Sequence, residues 1–303
     1  MPACLDKTCR LEKLDVCELA GRKKRRKRKR CRHCGVNWKS ELTSFAFWKA
    51  VRCEFLATLF YVLIGCGASL IWSRETPTSQ LQMSIAFGLS ATGMLQCVGH
   101  VSGAHMNPAI TVSMLVTRNI TILRSFVYAL SQCIGAIAGA GILYGITPSR
   151  VRSIQPIGVT RVQEEVSLGQ AFGVEFLATF LLVLTVFSRT QKPMSIGLGV
   201  SLSHLFAYNY TGAGMNPARS LGPALINNSW TDHWVYWVGP LLGGIIGAFT
   251  YEYTHDANDN DIKRTLKKKR LDDIERTANI QSCTSASTEI AFTPTPTSED
   301  LKL

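Results

Sequence analysis

The 303-residue chain is 46% hydrophobic and only 18% charged, with 24 glycines. Charge below the roughly 25% of soluble domains, with abundant glycine for close helix contact, points to a membrane protein. The net charge of +12 does not indicate a nucleic-acid-binding domain, because 14 of the 33 Lys and Arg precede Lys49 and 8 follow His255, leaving the long middle weakly charged.

Residues 1–45 are polar and basic, and their composition predicts a disordered tail. Arg22 to Arg30 is an unbroken basic run of nine. Such a run suits a nuclear-localisation signal, a nucleic-acid patch, an anionic-lipid contact or a solvated tail that sets topology. Tethering beside a membrane favours the last two, with no nucleic acid as partner. Cys31-Arg32-His33-Cys34 suggests zinc, but two or three ligands do not close a tetrahedral site. Acylation of Cys31 and Cys34 beside the basic run is the better expectation, and no metal or other cofactor is expected. The ten cysteines show no secreted disulfide framework: Cys53, Cys66, Cys97 and Cys133 sit in apolar runs, where a thiol is a small hydrophobe.

Six apolar stretches follow, each long enough for a membrane helix: about Ala50 to Trp72, Leu81 to Val98, Ile122 to Tyr144, Leu168 to Phe187, Met194 to Tyr208 and Trp234 to Tyr251. Polar residues interrupt the fifth. Two shorter segments, Asn107 to Val116 and Asn216 to Ile226, each open with Asn-Pro-Ala. Asn is a good N-cap and Pro suits the first helical turn, so both read as half-helices starting inside the membrane. Residues 255–303 form a second polar tail, expected to be disordered, with Lys267 to Arg270 and a Ser/Thr/Pro-rich end. Both tails are basic, as are Arg118, Arg124, Arg189 and Lys192 in short connections, so both termini are expected to be cytoplasmic. Asn227-Asn228-Ser229 is then a glycosylation sequon on the outer side. Asn209-Tyr210-Thr211 lies close to a span's end, and Asn119-Ile120-Thr121 faces the cytosol.

The chain also repeats itself. Glu54-Phe55-Leu56-Ala57-Thr58 recurs as Glu175-Phe176-Leu177-Ala178-Thr179, and Gly-Ala-His-Met-Asn-Pro-Ala recurs as Gly-Ala-Gly-Met-Asn-Pro-Ala. Each half holds three spans and one half-helix. Three is odd, so the second half enters from the opposite side, giving an inverted repeat with its functional region at the midplane.

Two half-helices from opposite faces would meet N-terminus to N-terminus. Each end carries roughly half a positive charge and free N–H groups, a barrier to cations and protons. Asn107 and Asn216 would place amides there, able to donate to a passing oxygen. A single Asn-Pro-Ala is an ordinary helix cap, whereas two at matching places in an inverted repeat are a strong signal. Gly135/Gly139 and Gly243/Gly247 form Gly-x-x-x-Gly pairs suited to packing within one subunit.

On these residues the chain resembles the aquaporin (major intrinsic protein) family, over about Ala46 to Glu252. Ala46 to Val51 and Gly139 to Tyr144 extend the likeness to a vertebrate, water-selective branch. The resemblance implies an all-α membrane protein of six transmembrane helices plus two half-helices, with a channel domain at 46–254 between the tails at 1–45 and 255–303. It also implies pore motifs at Asn107, Pro108, Ala109, Asn216, Pro217 and Ala218. By spacing from those motifs it assigns a selectivity filter to Phe87, His204, Ala213 and Arg219, with diagnostic positions at Ser220, Ala224, Tyr236 and Trp237. Glycerol-conducting relatives carry a small residue in place of the His and an Asp where this chain has Ser220.

The physics of the four filter residues agrees. Phe87 and His204 are bulky, His204 and Arg219 can replace hydrogen bonds that a water sheds, and Arg219 is a fixed positive charge. Taken singly, Phe87 reads as a lipid-facing or core residue, His204 as a bonded helix residue, and Ala213 fits anywhere. An intramembrane Arg is harder to set aside. Glu54 and Glu175 are expected to brace loop backbone rather than act as acid and base. His100 reads as loop-bracing, with gating of the cytoplasmic mouth as the other reading. The expected function is passive single-file water transport, with no catalytic residue. The alternatives are a channel that also passes hydrogen peroxide, urea or glycerol, and a structural or adhesive membrane protein on the same fold. A multi-pass location in the cell membrane and a homotetramer are what the resemblance implies.

Overall fold

The computed structural model describes residues 38–75, 78–188 and 193–254. They form ten helices and no strand: α1 (Trp38–Leu42), α2 (Phe45–Gly67), α3 (Gln80–Ser102), α4 (Pro108–Val116), α5 (Ile122–Ile146), α6 (Ser149–Arg152), α7 (Leu168–Phe187), α8 (Pro193–Thr211), α9 (Pro217–Asn227) and α10 (235–254). By contacts the chain divides into a unit ending at Tyr251 and a second, Glu252–Leu303, of which only the helical residues 252–254 are described.

Six helices are long, and the short α4 and α9 are the two half-helices the sequence predicts; the short α1 and α6 are additional to that expectation. By length and composition alone, α2, α3, α5 and α7 can cross a membrane. In α8 the run of Ser, His, Asn and Thr lowers the hydropathy, yet the helix still extends over 19 residues. The long helices present apolar residues outward at helical spacing: Leu56, Phe60 and Ile64 on α2, Leu81, Ile85 and Leu89 on α3, and Phe126, Leu130 and Ile134 on α5. Their opposite faces bury Glu54, Thr58, Gln132, Glu175 and His204. Polar inside and apolar outside is the arrangement of a bundle in lipid whose interior serves a polar guest.

Two expectations are corrected. The tail expected to be disordered to residue 45 contains α1, because Glu41 is buried against α5. It accepts from Arg124 Nε at 2.9 Å and from Thr121 Oγ1 at 2.8 Å. The first span starts at Phe45 rather than Ala50 and ends at Gly67 rather than Trp72. Phe47 is fully buried under the Arg124 guanidinium, which draws the first turn into the bundle.

Glycine sets the helix contacts. A Cβ on Gly135 or Gly139 of α5 would collide with the Phe55 and Leu59 carbonyls of α2. On α10, a Cβ on Gly243 would likewise collide with the Phe176 carbonyl of α7, and Gly247 lies close to Phe180 with somewhat more room. The two Gly-x-x-x-Gly pairs thus occupy matching places in the two halves, within one chain. The halves cross where Gly88 of α3 meets Gly197 of α8, each backed by the other's carbonyl.

Candidate functional site

The site is built by two loops, 103–106 and 212–215, that deliver α4 and α9. Both bend the same way. Gly103, Ala104 and Met106 have φ of 96°, 46° and 54°, and Gly212, Ala213 and Met215 have φ of 76°, 55° and 51°. Left-handed backbone at non-glycine residues is strained and persists only where the surroundings over-determine it. The carboxyl groups supply that constraint. Glu54 accepts from the His105 and Met106 N–H groups at 3.0 and 2.9 Å, from Ser102 Oγ at 2.6 Å and from Gln132 Nε2 at 2.8 Å. Glu175 accepts from the Gly214 and Met215 N–H groups at 2.8 and 2.6 Å and from Thr211 Oγ1 at 2.5 Å.

Asn107 and Asn216 cap α4 and α9 as their sequence context predicts. Asn107 Oδ1 accepts from Ala109 N–H at 2.8 Å, and Asn216 Oδ1 from Ala218 and Arg219 N–H at 3.0 and 3.3 Å. Pro108 and Pro217 open the two helices, and Ala109 and Ala218 are fully buried behind them. The amide nitrogens cross between halves. Asn107 Nδ2 donates to Met215 O at 2.9 Å, and Asn216 Nδ2 to Met106 O at 2.7 Å. One N–H of each amide is therefore committed to the opposite loop, and the second is left for a guest.

Two cavities lie along the site, and one of them reaches this pair. A wide one of about 500 Å³ is lined by Leu95, His100, Ile110, Ile196, Asn107 and Asn216, among others. A narrow one of about 170 Å³ is lined by Met83, Phe87, Arg161, Tyr208 and Arg219, among others. On α3, Phe87 stands between Met83 of the narrow cavity and Ala91 of the wide one. On α8, His204 stands between Tyr208 of the narrow cavity and Val200 of the wide one. The rings of Phe87 and His204 stack with centroids 4.4 Å apart, and the Arg219 guanidinium lies 4.8 Å from the Phe87 centroid. Phe87, His204 and Arg219, which the family resemblance assigns, are thus brought together, with Phe87 and Arg219 lining the narrow cavity and His204 stacked on Phe87 outside both linings. Ala213 is fully buried in the bent loop beside them.

The polar atoms of this ring are oriented. His204 Nδ1 lies 2.9 Å from Val200 O, which can only accept, so Nδ1 carries the hydrogen and Nε2 of the neutral ring is an acceptor. Arg219 Nη1 donates to Gly158 O at 2.6 Å. His204 Nε2 and Arg219 Nε are both buried without a hydrogen-bond partner among the described residues. One acceptor and one donor thus stand unused where Phe87, His204 and Arg219 meet.

The remaining expected residues fall around the site rather than in it. Tyr236 is fully buried, and its hydroxyl donates to Thr211 O at 2.8 Å. Tyr236 and Ser220 wall Gly214 so closely that a Cβ there would strike both. Ala224 is buried in α9 and Trp237 half-buried in α10, and neither lines the cavities. His100 does not brace the loop. It is still on α3, exposed at the rim of the wide cavity, and has no hydrogen bond among the described residues. The loop is braced instead by Ser102 and by His105, whose Nδ1 is 3.1 Å from Thr111 Oγ1. Asn227 is half-buried at the end of α9, with its amide bonded to Ile157 and Pro223. Cys31, Cys34 and Arg22 to Arg30 lie outside the described residues.

Several contributors were not singled out from sequence. Ser102 lies five before Asn107 and Thr211 five before Asn216, so a hydroxyl recurring at equal spacing was a usable signal. Gln132 and Gly158 act across the fold from distant segments, and no local pattern marks them.

Residues 41–251 match the family described as Major intrinsic protein. Aquaporin-4 of Mus musculus is 46% identical over 235 residues, covering 74% of this chain and 72% of its own length. Aquaporin-4 of Homo sapiens is 45% identical over 235 residues, with 74% and 72% covered. The lens fiber major intrinsic protein of Canis lupus familiaris is 45% identical over 222 residues, covering 70% of this chain and 83% of its own. The X-ray structure of the aquaglyceroporin from Plasmodium falciparum shares the fold, with a TM-score of 0.62 at 21% identity over 68% of this chain and 95% of that one. Family match, inverted repeat and doubly capped loops agree: this chain belongs to the major intrinsic protein family, the aquaporins.

Proposed function

We propose that the chain is a water channel, conducting water passively and in single file along osmotic gradients while excluding protons and ions. The observation that carries this reading is the pair of unpartnered buried atoms in the ring, His204 Nε2 and Arg219 Nε. A water needs both kinds of partner, because its oxygen accepts and its hydrogens donate. Arg219 donates to the oxygen and His204 accepts a hydrogen, replacing bonds lost when the molecule leaves its neighbours. Phe87 closes the apolar side. Ala213 leaves the ring without a thiol, so a mercurial has nothing to attack there.

Beyond the ring, the free N–H groups of Asn107 and Asn216 donate to the oxygen of the same water. Its hydrogens then point toward the two ends of the file, and a proton cannot hop through a molecule that cannot turn over. The N-terminal ends of α4 and α9 and the Arg219 guanidinium make this stretch positive, which repels cations.

The wider setting follows the same reading. The chain lies in the cell membrane with both termini cytoplasmic and works as a homotetramer with one passage per subunit. Arg22 to Arg30 contacts anionic lipid, and Cys31 and Cys34 are acylated beside it. Proteoliposomes in parallel sucrose and glycerol gradients test the central reading. Rapid shrinkage in both, without re-swelling in glycerol, is the expected result. Shrinkage no faster than in empty vesicles rejects a water pore, and rapid re-swelling in glycerol rejects the narrow ring.

A further inference from the structure

Asn227, the last residue of α9, stands one layer behind the ring. Its Nδ2 donates to Pro223 O at 2.8 Å and to Ile157 O at 3.2 Å. Its Oδ1 accepts from Ile157 N–H at 3.2 Å. One amide thus holds both backbone groups of Ile157, a buried residue in the connection between α6 and α7. The next residue, Gly158, carries the carbonyl that receives Arg219 Nη1. Gly158 has φ of 67°, and a Cβ there would strike Cys66 and press on Pro223, so the loop is seated tightly from the other side as well.

The chain of contacts runs from Asn227 through Ile157 and Gly158 to Arg219. Without the amide, the Ile157 N–H and C=O lose their side-chain partner in a half-buried place, and the carbonyl that fixes Arg219 is held only by packing and by the long contact from Cys66 Sγ at 3.9 Å. Both N–H bonds of Asn227 Nδ2 are in use, and a glycan would replace one of them. We infer that Asn227 is a positioning residue for the filter arginine, and that this role keeps the Asn227-Asn228-Ser229 sequon free of glycan in the folded protein. The inference rests on the reading of Phe87, His204 and Arg219 as the filter of a water pore.

The test uses the full chain in proteoliposomes and two substitutions that both destroy the sequon. Ser229→Ala leaves the amide in place, and its water flux is expected to match that of the unaltered protein. Asn227→Leu removes the amide. Loss of about one net hydrogen bond from the seated state of Arg219 is expected to lower water flux by about fivefold. The same change is expected to broaden the guanidinium 15N signal of Arg219, identified by its loss in Arg219→Ala. In an Arg219→Ala background, Asn227→Leu is expected to change flux no further. The unaltered protein from a glycosylating cell line is expected to carry no glycan mass at Asn227.

Unchanged flux and an unchanged Arg219 signal in Asn227→Leu would overturn the inference. So would the same loss in both backgrounds, or a glycan on Asn227. If Asn227→Leu does not fold, Asn227→Gln, which displaces the same groups by one methylene, is read in the same way. Absence of water flux in the unaltered protein would instead sink the channel reading itself. Normal flux there with a silent Asn227→Leu sinks only the role of Asn227.

Discussion

The two halves of the bundle share a scaffold and differ at the positions that face the passage. Counting back twenty residues from each Asn gives Phe87 in the first half and Ile196 in the second. Counting back twelve gives Leu95 and His204, and counting forward three gives Ile110 and Arg219. Phe87, His204 and Arg219 meet in the ring, whereas Leu95, Ile110 and Ile196 all line the wide cavity. The pseudo-symmetry therefore builds two equivalent sites, and side-chain identity makes only one of them narrow and polar. Backbone geometry supplies the amide pair, and three side-chain differences from the mirror site set the proposed filter apart.

The largest expected effect breaks the scaffold that the halves share. Glu54→Leu and Glu175→Leu each strand two loop N–H groups, at about 1–3 kcal/mol apiece, so roughly 2–6 kcal/mol of stability is lost. Glu54 has four donors and Glu175 three, so Glu54→Leu is expected to leave less folded protein by size-exclusion and thermal unfolding in detergent. Next comes the asymmetry itself. His204→Gly with Phe87→Ala opens the ring toward the width of its mirror, and glycerol uptake by vesicles is expected to rise about tenfold or more, with the fold intact. Unchanged exclusion would show that these side chains do not set the width.

A smaller effect separates wall from ring. Tyr236→Phe loses the bond to Thr211 O and is expected to cost about 1 kcal/mol in thermal unfolding without admitting glycerol. The smallest concerns the turn before α10. Burial against Trp230 and Tyr236 holds His233 below its ordinary pKa of 6.5. The unfolded chain then takes the proton first, so stability falls as pH drops from 6.5 through the folded value, and above 6.5 this contribution is flat. His233→Gln is expected to reduce that slope in Tm measured against pH, and an identical slope would locate the proton elsewhere.

Much of this was legible in the sequence because it is written locally. Asn-Pro-Ala specifies a capped helix start, and the repeat of Glu54 as Glu175 announced a shared task. Phe87, His204 and Arg219 came from the resemblance to the aquaporin family, whose pattern places them at fixed spacings from the motifs. What escaped was set by contacts across the fold. The burial of Glu41 depends on Arg124 lying opposite, and nothing near Glu41 says so. His100 lies next to the loop in sequence, but α3 runs on to Ser102 and leaves it at the rim. Gln132 and Gly158 reach the site only through the packing of α5 and the descent of the 153–167 connection.

The reciprocal bonds from Asn107 to Met215 O and from Asn216 to Met106 O join residues 108 and 110 positions apart. Neither loop can be completed by its own half. While the chain is being synthesised, the first half-helix must wait, its amide unmatched, until the second has been threaded in from the other face. Assembly of the passage is consequently a single late event rather than two early ones, and damage to either half during biogenesis leaves both unfinished.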